Sequence, residues 1–242
     1  MDIHKPKPWR GLREFLKEYL IIVVGVLTAL GAEAVVEKQH ETRLTAEARE
    51  AVRGELAQNL AGMKRRERGQ ACVDRRLVEL GQVLEAAKAG KGQTTPKWVG
   101  RPTMWQTVSQ RWDAASQSGR VSLFPSDEQA DYAMFYYNTR TYEAVQTREQ
   151  ETWAALRGME GAGAWTSADL HDFSQALSLA RYENWRMGLA MFRAREMAAK
   201  LKIAAAPLQP IVGLVTPSTC VPIGTDRATA LAIIKSPSYG EP

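Results

Sequence analysis

Residues 19–32 carry no charge; Glu33 interrupts, and Ala34, Val35 and Val36 extend the apolar run. As a helix, positions 19–36 would span roughly 27 Å, close to the ~30 Å hydrocarbon core of a bilayer. The core of the run, LIIVVGVLTAL, is apolar on every face, so a soluble helix of this sequence would need burial all round. Just upstream, Leu12, Phe15, Leu16 and Tyr19 recur at i, i+3, i+4 and i+7, with Arg13, Glu14, Lys17 and Glu18 between them. That is the pattern of an amphipathic turn lying in the membrane interface. Trp9 and Tyr19 suit the headgroup layer, and Glu33 falls near the outer end, where a carboxylate is tolerated. The segment therefore predicts a membrane-spanning helix. The competing reading is a cleaved signal peptide, because a basic head and an apolar stretch precede Ala32-x-Ala34. Against cleavage stand Glu14 and Glu18 beside the apolar run, and a helical pattern that continues without a breaker.

Beyond residue 36 the apolar positions thin to one stripe. Leu44, Ala48, Val52, Leu56, Leu60 and Met63 carry it, and Val73, Leu77, Leu80 and Leu84 resume it. This predicts one very long helix, or two with a bend near Gly69, ending about Ala89. Gly54 and Gly62 each weaken such a helix by about 1 kcal/mol relative to Ala. AGKGQTTPKWVGRP (89–102) reads as loop. A helix is expected over 103–118, with Met104, Val108, Trp112 and Ala115 on one face and Gly119 as its stop. VSLF, before Pro125, reads as an extended link. Ser126 with Gln129 forms a capping box for a helix to about Arg157. Thr166 with Asp169 forms another, for a helix to about Ala206. Pro207, Pro210, Pro217, Pro222, Pro237 and Pro242 exclude a long helix thereafter. In that stretch PIVGLV is expected to lie across the bundle, and TDRATALAIIK to form one short helix capped by Thr225 or Asp226.

The expected fold class is therefore all-α. Residues 1–18 form a short cytoplasmic or interfacial head and 19–36 a single transmembrane helix that continues as a stalk. Residues 37–206 form an extracytoplasmic bundle of about four helices, and 207–242 an irregular proline-rich C-terminal strap. Lys5, Lys7, Arg10, Arg13 and Lys17 precede the span, while Lys38, Arg43 and Arg49 follow it. Five against three favours a cytoplasmic N-terminus and a periplasmic bulk.

Composition narrows the function classes. The net charge of +5 is interleaved along most of the chain, which argues against a dedicated nucleic-acid binder. The two cysteines, Cys72 and Cys220, are too few for a zinc site; in an oxidising compartment they are candidates for one disulfide, with two buried thiols as the alternative. The histidines are His4, His40 and His171. His40-Glu41 lacks the second histidine of a zinc protease helix, and the acids around His171 suit a helix N-terminus. Neither a nucleophile elbow nor a phosphate-binding glycine loop is present. No catalytic residue, metal site or cofactor is predicted.

What stands out is suited to contact. Lys64, Arg65, Arg66 and Arg68, continued by Arg75 and Arg76, form the densest basic run. In a straight helix Lys64 would sit roughly 40 Å beyond the membrane, which leaves a protein partner or solvent rather than lipid. Tyr136 and Tyr137 point in different directions on one helix, so at least one is expected to face outward as an interface candidate. Gly25, Ala29 and Ala32 make a small-residue stripe that would let a second helix approach within the membrane, with plain tolerance of lipid as the alternative.

Two blocks carry a resemblance. WRGLREFLKEYLIIVVGVLTALGAE is similar to the N-terminal membrane segment of an uncharacterised family of bacterial single-pass inner-membrane proteins. WDAASQSGRVSLFPSDEQADYAMFYY (112–137) resembles the same family's W…S-G turn with a later Tyr-Tyr pair. The resemblance implies a small inner-membrane protein with a helical outer domain, and no activity.

The sequence thus leads to a non-enzymatic expectation: an accessory or interaction subunit of a membrane complex, or a homo-oligomer. Its partners would be the lipid bilayer and other membrane subunits or further copies of itself, without nucleic acid. A periplasmic ligand-binding bundle signalling through a partner is the alternative, and an enzyme with an unrecognised site comes last. Retention of the anchor is checked by N-terminal sequencing of the mature protein. The expected first residue lies upstream of the apolar run; a protein beginning at Val35 would be a cleaved periplasmic one.

Overall fold

The computed structural model describes residues 11–90, 95–207 and 218–236. Among them all regular structure is helical: α1 (Leu12–Arg68), α2 (Gln70–Lys88), α3 (Gln110–Gln117), α4 (Ser126–Arg157), α5 (Ser167–Lys200) and α6 (Arg227–Lys235). Short 3-10 turns occupy Arg120–Leu123 and Ser218–Cys220. Trp9, the basic residues Lys5, Lys7 and Arg10, and the PIVGLV stretch lie outside the described residues. The chain divides into two compact units, Met1–Arg49 and Glu50–Pro242, and α1 contributes to both.

In the first unit α1 contains the one described helical segment that is long and apolar enough to cross a membrane, and none of that window is buried. The Thr28 hydroxyl donates to the Val24 carbonyl at 2.7 Å, so the one threonine of the run is satisfied within its own helix. Phe15 and Tyr19 stack one turn apart, with ring centroids 6.1 Å from each other.

The second unit is built on the apolar stripes read from sequence. α2 supplies Val73, Leu77, Leu80 and Leu84; α4 adds Trp153 and Leu156; α5 adds Phe173, Ala176, Leu177 and Ala180, with Trp165 and Val99 closing the cluster. Each fully buried Leu or Phe contributes on the order of 2 kcal/mol. The long helix does break at Gly69, where α1 stops and α2 begins. Thr166 and Asp169 form the reciprocal capping box at the start of α5. Asp226, rather than Thr225, caps α6 by accepting from the Thr229 amide at 3.0 Å.

Four local expectations are corrected. The helix expected over 103–118 is confined to Gln110–Gln117, because buried side-chain amides from other helices pair with the backbone before it. Asn59 accepts from the Val108 amide at 3.0 Å and donates to the Val108 carbonyl at 2.8 Å. Gln146 does the same for Trp105, at 2.8 and 2.9 Å. α3 then starts where the Glu55 carboxylate accepts from the Arg111 and Trp112 amides at 2.8 and 3.3 Å, a cap supplied by another helix. The expected extended link VSLF is instead the 3-10 turn after Gly119, which adopts the left-handed conformation (φ 72°). No capping box forms at Ser126: Gln129 turns back and donates to the Phe124 carbonyl at 2.8 Å. Finally, α5 ends at Lys200, short of Ala206. Lys202 takes a left-handed conformation (φ 53°), and the Ile203 amide donates to the Ala198 carbonyl at 2.9 Å, closing the helix. Arg53 holds this end by donating to the Leu201 and Lys202 carbonyls, both at 3.0 Å.

The irregular segments around residues 97–101 and 218–223 are joined by one buried cation. The Arg76 side chain is inaccessible and uses all five of its N–H donors. It donates to Glu79 at 2.7 Å, to the carbonyls of Trp98 and Val99 at 2.7 and 2.5 Å, to Thr219 at 3.2 Å, and to Val221. Beside it Cys72 and Cys220 are joined in a disulfide across a sequence separation of 148 residues. Trp98 seals the junction, its indole N–H donating to the Ser218 carbonyl at 2.8 Å and its amide to Ile223 at 3.0 Å. Gly100 is required here: its φ is +74°, and a Cβ would lie 2.5 Å from the Ser218 carbonyl oxygen.

Gly62 also has a packing role that composition hides. A Cβ there would fall 1.8 Å from Trp105 Nε1, so the missing side chain is the seat of that indole. Gly54 on the same helix has nothing within 4 Å. Gly62→Ala is therefore expected to destabilise the fold by about 1–3 kcal/mol through overpacking. Gly54→Ala should stabilise it by up to about 1 kcal/mol through helix propensity. Denaturant titration of the two variants checks the contrast.

Candidate functional site

The basic run that dominates the sequence does not form one surface patch. Successive helical residues turn by about 100°, so Lys64, Arg65 and Arg66 point three ways, while Arg68, one turn on, shares the side of Lys64. Lys64 and Arg68 are exposed. Arg65 is half-buried, its guanidinium 5.3 Å from the centre of the Trp105 ring in a cation–π contact. Arg66, expected as an interface residue, is instead fully buried and ion-paired to Glu149 at 2.7 Å. Arg75 donates to the Cys220 carbonyl at 3.2 Å, and Arg76 is the buried staple described above. The Tyr136–Tyr137 pair divides the same way. Tyr137 is exposed, whereas Tyr136 is buried and donates to Glu55 Oε1 at 2.5 Å while Trp112 stacks on its ring at a centroid distance of 5.0 Å. Burial, and then the Glu55 carboxylate, push the Tyr136 phenol far above its ordinary value.

What the second unit gathers is an internal polar seam. Glu55, Asn59, Gly62 and Arg66 lie on one face of α1, spaced by four, three and four residues, and all four are buried. From Glu149 on α4 the seam runs through Arg66 to Gln70, which accepts at 2.9 Å. Gln70 in turn donates to Asp74 at 2.7 Å and to Asn184 on α5 at 2.8 Å. Buried polar groups of this kind fix one alignment of helices, since any slip leaves a donor or a carboxylate without its partner. Sequence reasoning missed Glu149, Gln146 and Asn59, and read Arg76 as part of a basic contact run although it is buried. The available signal was polar residues recurring at stripe positions otherwise occupied by Leu, Val and Tyr.

One pocket, of about 240 Å³, lies against α1 and the end of α5. Leu60, Met63, Met191, Ala198 and Ile203 line it, and its ionisable lining residues are Lys64 and the Glu67–Arg195 ion pair. That volume is below the ~300 Å³ typical of small-molecule sites. Among the described residues no group of three or more His, Cys, Asp or Glu side chains is placed to hold a metal ion. His171 and His40 are both exposed, and Asp169 next to His171 is spent on the α5 cap. Gly25, Ala29 and Ala32 are exposed on α1, with nothing within 4 Å of a Gly25 Cβ. No protein-family model, curated protein or solved structure matches the chain.

The Arg66–Glu149 pair yields a quantitative expectation. Burial raises the Glu149 carboxyl above its ordinary value of 4.5, and the attraction of Arg66 works against that rise. Arg66→Met should cost about 3–5 kcal/mol, because it leaves a buried carboxylate uncompensated. Adding Glu149→Leu should recover most of the loss. A carboxyl whose folded pKa lies above its unfolded one binds more protons when native, so acid stabilises the fold through it. The deficit of Arg66→Met is therefore expected to be largest above the raised native value and to shrink as pH falls through it toward 4.5. Urea titrations of the single and double variants at several pH values check both sign and size.

Proposed function

We propose that this chain is a single-pass inner-membrane protein with a cytoplasmic N-terminus. Its helical part outside the cytoplasm serves as an accessory or interaction subunit of a membrane complex. The carrying observation is α1: none of its apolar window is buried, and the same uninterrupted helix goes on to contribute Val52, Leu56 and Leu60 to the packed second unit. Leaving such a window in water would forfeit about 25 cal/mol for each Å² of apolar surface, and a bilayer removes that penalty. The Cys72–Cys220 disulfide supports an oxidising compartment for the second unit. The periplasm is then the compartment, in agreement with the excess of Lys and Arg before the span. The resemblance of the N-terminal block to uncharacterised single-pass membrane proteins points the same way.

The role is read as non-enzymatic. The buried side chains Asn59, Gln146 and Arg76 are spent on backbone groups. Blue-native electrophoresis after mild detergent extraction tests the reading. Migration in an assembly larger than one chain is expected; migration solely as a monomer would overturn it.

A further inference from the structure

α5 is apolar on two opposite faces. One face holds Phe173, Ala180, Met187 and Ala194, all buried in the second unit. Turned about 180° from it are Tyr182, Trp185, Leu189 and Phe192, at spacings of three, four and three residues. Tyr182, Trp185 and Phe192 are 53%, 62% and 48% exposed, and Leu189 is partly exposed. A helix that serves one core needs one apolar stripe. A second stripe at a/d heptad spacing is the seam that a further helix packs into.

The stripe is also held in place. Tyr182 and Trp185 are stacked, with centroids 6.0 Å apart. The Arg186 guanidinium lies 5.7 Å from the Tyr182 ring centre and is fixed in turn by Glu183 at 3.3 Å. Trp, Tyr and Arg ordered before contact are the residue types that concentrate binding energy at interfaces.

The flanks say what kind of helix fits. Arg181 and Arg193 border the stripe on opposite sides, and among the described residues neither has a carboxylate partner; Arg181 spends one N–H on the Leu77 carbonyl at 3.4 Å. Arg186 and Arg195 add two more flanking cations, paired to Glu183 and Glu67. A second copy in parallel would set Arg181 toward the other Arg186, and Glu196 against Glu196, so like charges oppose self-pairing.

We propose that the outer face of α5 is the docking surface for an acidic amphipathic helix of a partner protein. That helix would present large apolar residues at heptad spacing to Tyr182, Trp185, Leu189 and Phe192, and Asp or Glu to Arg181 and Arg193. The inference rests on the interaction-subunit reading and names the surface and partner chemistry for it.

Photo-crosslinking in the native membrane tests it, using the full chain with Trp185→p-benzoylphenylalanine and, as control, Tyr137→p-benzoylphenylalanine. The expected result is a protein adduct at 185 but not at 137. The sequenced adduct peptide should be helix-forming, apolar at heptad spacing and acidic on its flanks. Arg181→Glu with Arg193→Glu should cut the adduct yield at least tenfold with the chain still folded by circular dichroism, and Arg193→Glu alone should lower it without moving the melting temperature. An adduct to a second copy of this chain, to lipid alone or to a non-acidic segment would overturn the proposal. So would no adduct at 185, or a yield indifferent to the charge reversal. If no adduct forms while the blue-native assembly persists, the docking surface is wrong and the accessory-subunit reading stands.

Discussion

Arg76 is the point through which the irregular segments around residues 97–101 and 218–223 are joined. A buried guanidinium is costly to desolvate, and burial lowers its pKa, with Glu79 pulling the other way. That penalty is met by complete use of its donors, four of the five bonds ending on backbone carbonyls of two segments far apart in sequence. In a sheet those carbonyls would face N–H groups of a neighbouring strand. Here no strand is formed among the described residues, and one side chain takes the place of the ladder. The disulfide lies one helical turn away on α2, at Cys72, and acts on the unfolded chain by closing a long loop, worth about 5 kcal/mol in the chain-entropy model. The two devices are complementary: the bridge shortens the search, and the guanidinium specifies the final arrangement.

The same substitution of side chain for secondary structure recurs along α1 and α4. Asn59 and Gln146 each satisfy both backbone groups of one residue in the stretch before α3, and Glu55 caps α3 from a distance of more than fifty residues in sequence. A backbone held in this way has no local reason to be helical or extended. Its conformation is set by two helices that must already be aligned. The buried Arg66–Glu149 pair is what sets that alignment between α1 and α4, because an unmatched ion in this interior is penalised far more than an unmatched methyl group.

This explains which parts were legible in the sequence. Helices with an apolar stripe and a chemical stop could be read locally: the break at Gly69, the Thr166–Asp169 box and the Asp226 cap depend on residues within one turn. The end of α5 could not, because its left-handed Lys202 is held by Arg53 from α1, and lysine carries no local signal for that conformation. Residues 103–109 could not either, since their helical spacing is overridden by two amides that only the fold delivers. The basic run misled for a related reason. Charge density along a sequence says nothing about direction, and the helical turn sends Arg66 inward and Lys64 outward. For the buried polar seam, the only local trace is that Glu55, Asn59 and Arg66 share a helix face with Gly62.

The two faces of α5 carry this reasoning to the surface. Polar pairs such as Arg66–Glu149 help specify the helix positions in this protein, and its apolar residues can serve contact as well as core. On α5 the inward face sets Phe173, Leu177, Met187 and Met191 among Ala176, Ala180, Ala190, Ala194 and Ala198, large residues filling the core and alanines allowing close approach of neighbouring helices. The outward stripe is large and aromatic. Burial in its own core accounts for the inward face alone; outward positions with no other demand on them would favour helix best as alanine or a polar residue, without exposing apolar area. Tyr182, Trp185 and Phe192 are therefore apolar area beyond what this core uses, and that surplus is what the docking proposal accounts for.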